Sequence, residues 1–215
     1  MRNILRNFFY LLEVYILSDY YRVMRKELRN CTSLLDVGCG ADSPMKPFTR
    51  TRFSVGVDAF KPSIDASRAK GIHSEYCLYD VTQIDALFPP ESFDCVVAND
   101  VIEHFAKDDG LFLLSKMERI AKRKIVVFTP NGFLPQQTYD NNVLQIHKSG
   151  WTVAEMRGLG YAVTGIKGLK CLRGECGVIR YRPKVLWMLV SYISQLFVRT
   201  SPDRAFQILC IKEKR

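Results

Sequence analysis

The run Leu34-Leu35-Asp36-Val37-Gly38-Cys39-Gly40 constrains this chain more than any other stretch. A short apolar strand runs into a turn with glycines two apart. Glycine accepts a positive φ and lets a ligand approach the main chain closely. In doubly wound α/β folds this first strand-to-helix turn is where a nucleotide-like ligand sits. Asp58 closes the next apolar run, Phe53-Ser54-Val55-Gly56-Val57. An acid at the end of a second strand can accept hydrogen bonds from both hydroxyls of a ribose.

Beyond this turn, short apolar runs alternate with helical patterns, which implies parallel βαβ units. Strands are expected over 34–37, 53–58, 76–80, 93–98, 124–128, 161–166 and 205–211. Helices are expected over 62–70, 83–88, 108–122, 152–159 and 183–198, with Gly160 stopping the fourth. The apolar spacing over 3–29 predicts an N-terminal helix. Residues 130–150 form a long polar loop, which inside a compact domain is usually functional. The expected organisation is an N-terminal helical cap, 1–32, followed by one domain over 33–215. Its length suits a single core.

A dinucleotide fingerprint would place a third glycine where this chain has Ser43, followed by Pro44. The turn is therefore not arranged to seat a pyrophosphate. Pro44 and Pro47 also predict a short first helix. Around these residues the sequence resembles the class I S-adenosyl-L-methionine (SAM)-dependent methyltransferases, in particular the small-molecule enzymes similar to ubiquinone-biosynthesis methyltransferases. Residues 34–40 resemble the family's first motif, and Asp58 its ribose-binding acid. Asp80-Val81 resembles the segment after strand three. The run from Phe93 through Asn99-Asp100-Val101-Ile102-Glu103-His104-Phe105 resembles the fourth-strand motif, including its glutamate–histidine pair. The likeness covers roughly residues 33 to 165. It implies a Rossmann-like, doubly wound, mostly parallel seven-stranded sheet whose last strand is antiparallel, and SAM as cofactor.

The resemblance also implies residue roles. Gly38, Cys39 and Gly40 would give backbone contacts to SAM, and Asp36 would help hold its amino-acid end. Asp58 would bind the ribose, with Ala59 beside the adenine. Asp80 and Val81 would flank the adenine, and Asn99 and Asp100 would line the cleft. Asp80 also reads as a helix N-cap, and Asp94 as a turn residue ahead of its strand. His104 and His147 are the candidate catalytic residues, since a hydroxyl acceptor benefits from a general base. Similar enzymes carry a histidine and an aromatic near the acceptor, here His147 and Trp151. His73 is expected at the surface.

The net charge of +9 favours anionic partners, or serves solubility. Small-molecule or lipid-linked methyl acceptors lead the expectation. RNA or protein methylation, or a non-catalytic SAM-binding role, is the alternative, and nucleic acid is the less favoured partner. Asn99-Asp100-Val101-Ile102 lacks the Pro-Pro-aromatic sequence of enzymes that methylate base amines. The seven cysteines are scattered. Cys39 and Cys95 read as buried thiols and Cys171 and Cys176 as ordinary ones, which suits a reducing, cytoplasmic setting. No metal site is expected. The N-terminal helix and the helix over 183–198 are expected to cap the sheet. Peripheral membrane contact by one of them is the sharper alternative.

Overall fold

The computed structural model describes residues 19–138, 142–174 and 177–214. The expectations for residues 3–18 and for Cys176 lie outside them. Seven strands form one sheet: β1 Ser33–Val37, β2 Phe53–Asp58, β3 Glu75–Leu78, β4 Phe93–Asn99, β5 Ala121–Pro130, β6 Ala162–Leu169 and β7 Ala205–Glu213. Their order is β3-β2-β1-β4-β5-β7-β6. The pairs from β3 to β5 are parallel, and β7 runs antiparallel to both neighbours. The expected fold class is the observed one.

The described helices are α1 Asp19–Glu27, α2 Lys46–Thr49, α3 Lys61–Ala69, α4 Ile84–Leu87, α5 Lys107–Ile120, α6 Val153–Gly158 and α7 Lys184–Val198. The two prolines do leave α2 a single turn. Helix α5 ends before Lys122, which belongs to β5; that strand starts at Ala121, opposite Phe93. Gly160, at φ 88°, follows α6 as expected. Thr152 and Glu155 form a reciprocal capping box at its start.

Alternation along the strands divides the core between the two faces of the sheet. Leu35, Val37, Val96, Ala98, Ile125 and Val127 point to one face, where they meet α5, α6 and the fully buried Trp151. Leu34, Cys95, Val97, Val126 and Phe128 point to the other, against Tyr20 and Met24 of α1. Strand order reverses between β1 and β4, so the loops after these two strands diverge and leave a crevice at their carboxyl ends.

Two sequence expectations are corrected. His73 is buried, not on the surface. It packs over Gly56 so closely that a Cβ there would lie 2.6 Å from its ring. Its Nε2 lies 3.2 Å from Asp36 Oδ2. Asp94 is not a turn residue but sits within β4. It accepts hydrogen bonds from Thr32 N–H, Thr32 Oγ1 and Ser33 N–H, tying the entry of β1 to β4.

Candidate active site

The crevice is built on the turn after β1. Gly38 and Gly40 take φ of 66° and 59°. A Cβ at Gly40 would meet nothing within 4 Å, so the turn opens onto free space. Asp58, at the end of β2, closes back on this turn. Its Oδ2 accepts from Gly40 N–H at 2.8 Å, and its Oδ1 from Phe60 N–H at 2.8 Å. Desolvation raises the Asp58 carboxyl, and the hydrogen bonds from Phe60 and Gly40 oppose that rise.

A cavity of about 270 Å³ fills the crevice. Gly38, Asp58, Ala59, Asp80, Val81, Asp100 and His104 line it, joined by Phe105 and by Asn142 and Lys148 from the long loop. Asp80 also accepts from Thr82 N–H and so caps the short turn that follows. The remaining sequence candidates lie around the cavity rather than on it. Asp36 is buried beneath the turn and accepts from Ser43 Oγ at 2.5 Å. The Cys39 thiol is buried, and burial pushes it up. Asn99 is buried and accepts from Tyr20 Oη at 2.7 Å, which ties α1 to the floor of the crevice.

Asp100 occupies the centre. It is a non-glycine residue at φ 51°, its N–H donates to Phe128 O, and its Oδ1 accepts from Gln207 Nε2 at 2.6 Å. Left-handed backbone is costly for such a residue and marks functional positions. Asp100 lines the first cavity and two more. One, of about 570 Å³, lies between α1, β6 and α7, with Tyr20, Phe128, Ile166, Lys167 and Tyr192 among its walls. The other, of about 240 Å³, holds Glu103, His104, His147 and Gln207. Surrounding protein desolvates Asp100 and raises its carboxyl, against the pull of Lys167 and His147.

In the third cavity His104 and His147, 43 positions apart in the chain, stand with ring centroids 4.9 Å apart. The Nδ1 of His104 faces Ile146 O at 3.3 Å, and that of His147 faces Leu134 O at 2.6 Å. A carbonyl only accepts, so each Nδ1 donates. Desolvation, with His147 nearby, lowers His104 to about 4. Glu103 is buried. Its Oε2 accepts from Thr129 Oγ1 at 3.0 Å, and its carboxyl lies within hydrogen-bonding reach of that of Asp100. Burial and the neighbouring Asp100 push its carboxyl well up. The ligand atoms of Glu103, His104 and His147 lie within 4.8 Å of one another, a set able to hold a metal ion where none was expected. The sequence showed Glu103 only as half of a motif pair. Lys148 and Ser149 N–H groups donate to Glu103 O and bring His147 to it. Trp151, by contrast, is a core residue and lines none of these cavities.

The glycine turn and the acid closing on it lie within a segment that matches a known family. Residues 35–128 match the family described as methyltransferase domain. The chain is 34% identical over 128 residues to the ubiquinone biosynthesis O-methyltransferase of Bradyrhizobium diazoefficiens, covering 55% of this chain and 47% of that protein. It is also 34% identical over 118 residues to the enzyme of the same name from Rhodopseudomonas palustris, covering 53% and 43%. The match thus spans about half the length of these relatives. Among solved structures, a SAM-dependent methyltransferase from Archaeoglobus fulgidus superposes with a TM-score of 0.56 at 17% identity, over 91% of this chain and all of that one. Magnesium protoporphyrin IX methyltransferase from Synechocystis, with bound SAM, gives 0.51 at 13% identity over 91% and 76%.

Proposed function

We propose that the chain transfers the methyl group of SAM to the oxygen of a small-molecule or lipid-linked acceptor. One observation carries the reading: Asp100 lines all three cavities, so cofactor, acceptor and proton-handling groups meet at one residue. The cleft fits the cofactor, because the space beside Gly40 is open and backbone donors from Gly40 and Phe60 hold the Asp58 carboxylate at the cavity wall. A carboxylate has about four acceptor sites, so Asp58 keeps capacity for a ribose hydroxyl, and Asp80 and Val81 of the same cavity would flank the adenine. When bound, SAM supplies a methyl group on a sulfonium that needs little activation.

The protein aligns the acceptor and excludes water. The largest of these three cavities is the acceptor's place, with aromatic walls and the Lys167 cation. At neutral pH His104 is uncharged, so its Nε2 is free to take the acceptor's proton. A divalent cation on Glu103, His104 and His147 would reach the same end by lowering the hydroxyl's pKa and relieving the buried Glu103 carboxyl. The names of the relatives support an oxygen acceptor.

The test is calorimetric titration of the protein with SAM, followed by methylation of candidate hydroxyl compounds. Micromolar binding with product formation is expected. A folded protein that binds no SAM, with or without acceptor, would overturn the reading.

A further inference from the structure

Helix α7 is packed the wrong way round for a capping helix. It is mostly apolar, yet Ser191 and Val198 are its buried residues. At about 100° of turn per residue, Val185, Leu186, Leu189, Ile193 and Leu196 share one face. They are 67%, 52%, 53%, 70% and 76% exposed. The opposite face meets β6 through small and polar contacts. A Cβ at Gly165 would lie 2.1 Å from Val198 O, and one at Gly168 would lie 2.3 Å from Ser191 O. Gln195 donates to Gly165 O and accepts from Gly168 N–H, and Ser194 accepts from Leu169 N–H. The helix is thus pinned by its polar side, with its apolar side held outward. The helix packs on the sheet as expected, but through its polar side.

We infer that this face of α7 docks on an anionic lipid surface. The charges beside it choose the partner. Arg180, Arg182 and Lys184 precede the apolar face, Arg199 and Arg204 follow it, and all five are exposed. Asp203 is the one carboxylate between positions 180 and 204. A second copy of the chain would set basic ends against basic ends in either orientation. Acidic headgroups complement them, while the apolar arc enters the headgroup–acyl boundary. The helix lies along the surface, for none of the described helices is long and apolar enough to cross a membrane. Met188, Ser191, Tyr192 and Gln195 of the same helix line the largest cavity. Docking therefore brings that cavity to the lipid, where the methyl-transfer reading would have it receive a lipid-borne acceptor. The docking itself stands without that reading.

The test is co-sedimentation with phosphatidylcholine vesicles, with and without phosphatidylglycerol, in low and high salt. Wild type should bind the phosphatidylglycerol vesicles, and binding should weaken as salt rises. The triple variant Leu189→Glu, Ile193→Glu, Leu196→Glu should bind about tenfold or more weakly. Those side chains are exposed and line none of the three cavities described, so its SAM titration and thermal melt should match wild type. A paired variant, Lys184→Glu with Arg199→Glu, should lose the salt-sensitive part. Vesicle binding that the triple variant retains would overturn the inference, as would absence of wild-type binding. So would a wild-type dimer in sedimentation that the triple variant dissolves without any vesicle binding. SAM binding on the same samples reports separately on the methyl-transfer reading.

Discussion

Asp58 Oδ2 accepts the Gly40 N–H at 2.8 Å, joining the end of β2 to the glycine turn after β1. This bond orients the carboxylate and fixes the turn together. Removing the carboxylate deletes the ribose acceptor and frees a backbone donor. Asp58→Ala should weaken SAM binding by at least tenfold, since hydrogen bonds to a charged group are worth about 1.5–3 kcal/mol each. Asp58→Asn keeps one acceptor oxygen and should lose less. Calorimetric titration of both variants checks the order. Equal affinity in Asp58→Ala and wild type would remove Asp58 from the site.

Gly38 and Gly40 share a left-handed backbone but not a neighbourhood. A Cβ on Gly38 would lie 2.6 Å from Val101 Cγ2, and one on Gly40 would touch nothing. Val101 is β-branched and stiff, so it yields little. Gly40→Ala should cost about 1 kcal/mol of stability from backbone strain alone. Gly38→Ala adds overpacking of about 1–3 kcal/mol. Denaturant melts should rank Gly38→Ala as the less stable, while SAM titration shows Gly40→Ala still folded and weakened where its methyl group enters the cleft. The reverse ranking in the melts would mean the turn is not held against Val101.

The sheet and its glycine turn are legible in the amino-acid sequence because their signals are local. β2 runs from Phe53 to Asp58 as its apolar pattern predicts, because Val55 and Val57 lead directly into the acid that ends the strand. Asp36 and Asn99 are harder to read. Their motif positions suit cofactor contact, but Asp36 Oδ2 already accepts from Ser43 and Asn99 Oδ1 from Tyr20. His73 is misplaced by the sequence although Gly56 offers a signal, since glycine inside a strand often marks another group approaching closely. The meeting of His147 with Glu103 depends on how a long loop folds back, and no spacing rule encodes that.

The buried Glu103 carboxyl lies against that of Asp100 and within 4.8 Å of the His104 and His147 ring nitrogens. Such a set favours a cation, because a positive charge would offset the repulsion from Asp100. Titration with magnesium, manganese or zinc chloride should give one saturable site and raise the melting temperature. Glu103→Gln should weaken that binding tenfold or more while the protein still binds SAM, within the 10–100-fold range for lost metal-site groups. If methyl transfer survives chelator unchanged and no metal shifts the melt, the three residues act on protons alone.

Trp151 is fully buried, and Lys107 Nζ stands 3.9 Å from its ring centroid. Gly110 makes room for the indole, since a Cβ there would lie 2.6 Å from Cζ2. Trp151→Ala should therefore cost about 3–5 kcal/mol. Trp151→Phe should cost much less, because the Nε1 donor it removes has no partner in the core. Gly110→Ala should destabilise by the same collision seen from the other side. Urea denaturation followed by circular dichroism measures all three. A Trp151→Ala variant as stable as wild type would show that the indole does not hold α5 to the sheet.

Asp94 gives the protein a defined acid sensitivity. Burial raises its carboxyl, but hydrogen bonds from Thr32 N–H, Thr32 Oγ1 and Ser33 N–H outweigh burial and hold it below the ordinary value of 3.8. A carboxyl whose pKa is lower folded than unfolded stabilises the fold fully above the unfolded value. That contribution fades as pH falls through the folded one. Asp94→Asn should thus lose about 1 kcal/mol at pH 7, a modest figure because the group is partly solvated and screened. The gap between variant and wild type should close as pH drops below 3.8. Denaturant midpoints measured from pH 7 down to acid test this. A gap that stays constant with pH would assign the cost to lost geometry at the start of β1 rather than to the carboxylate's charge.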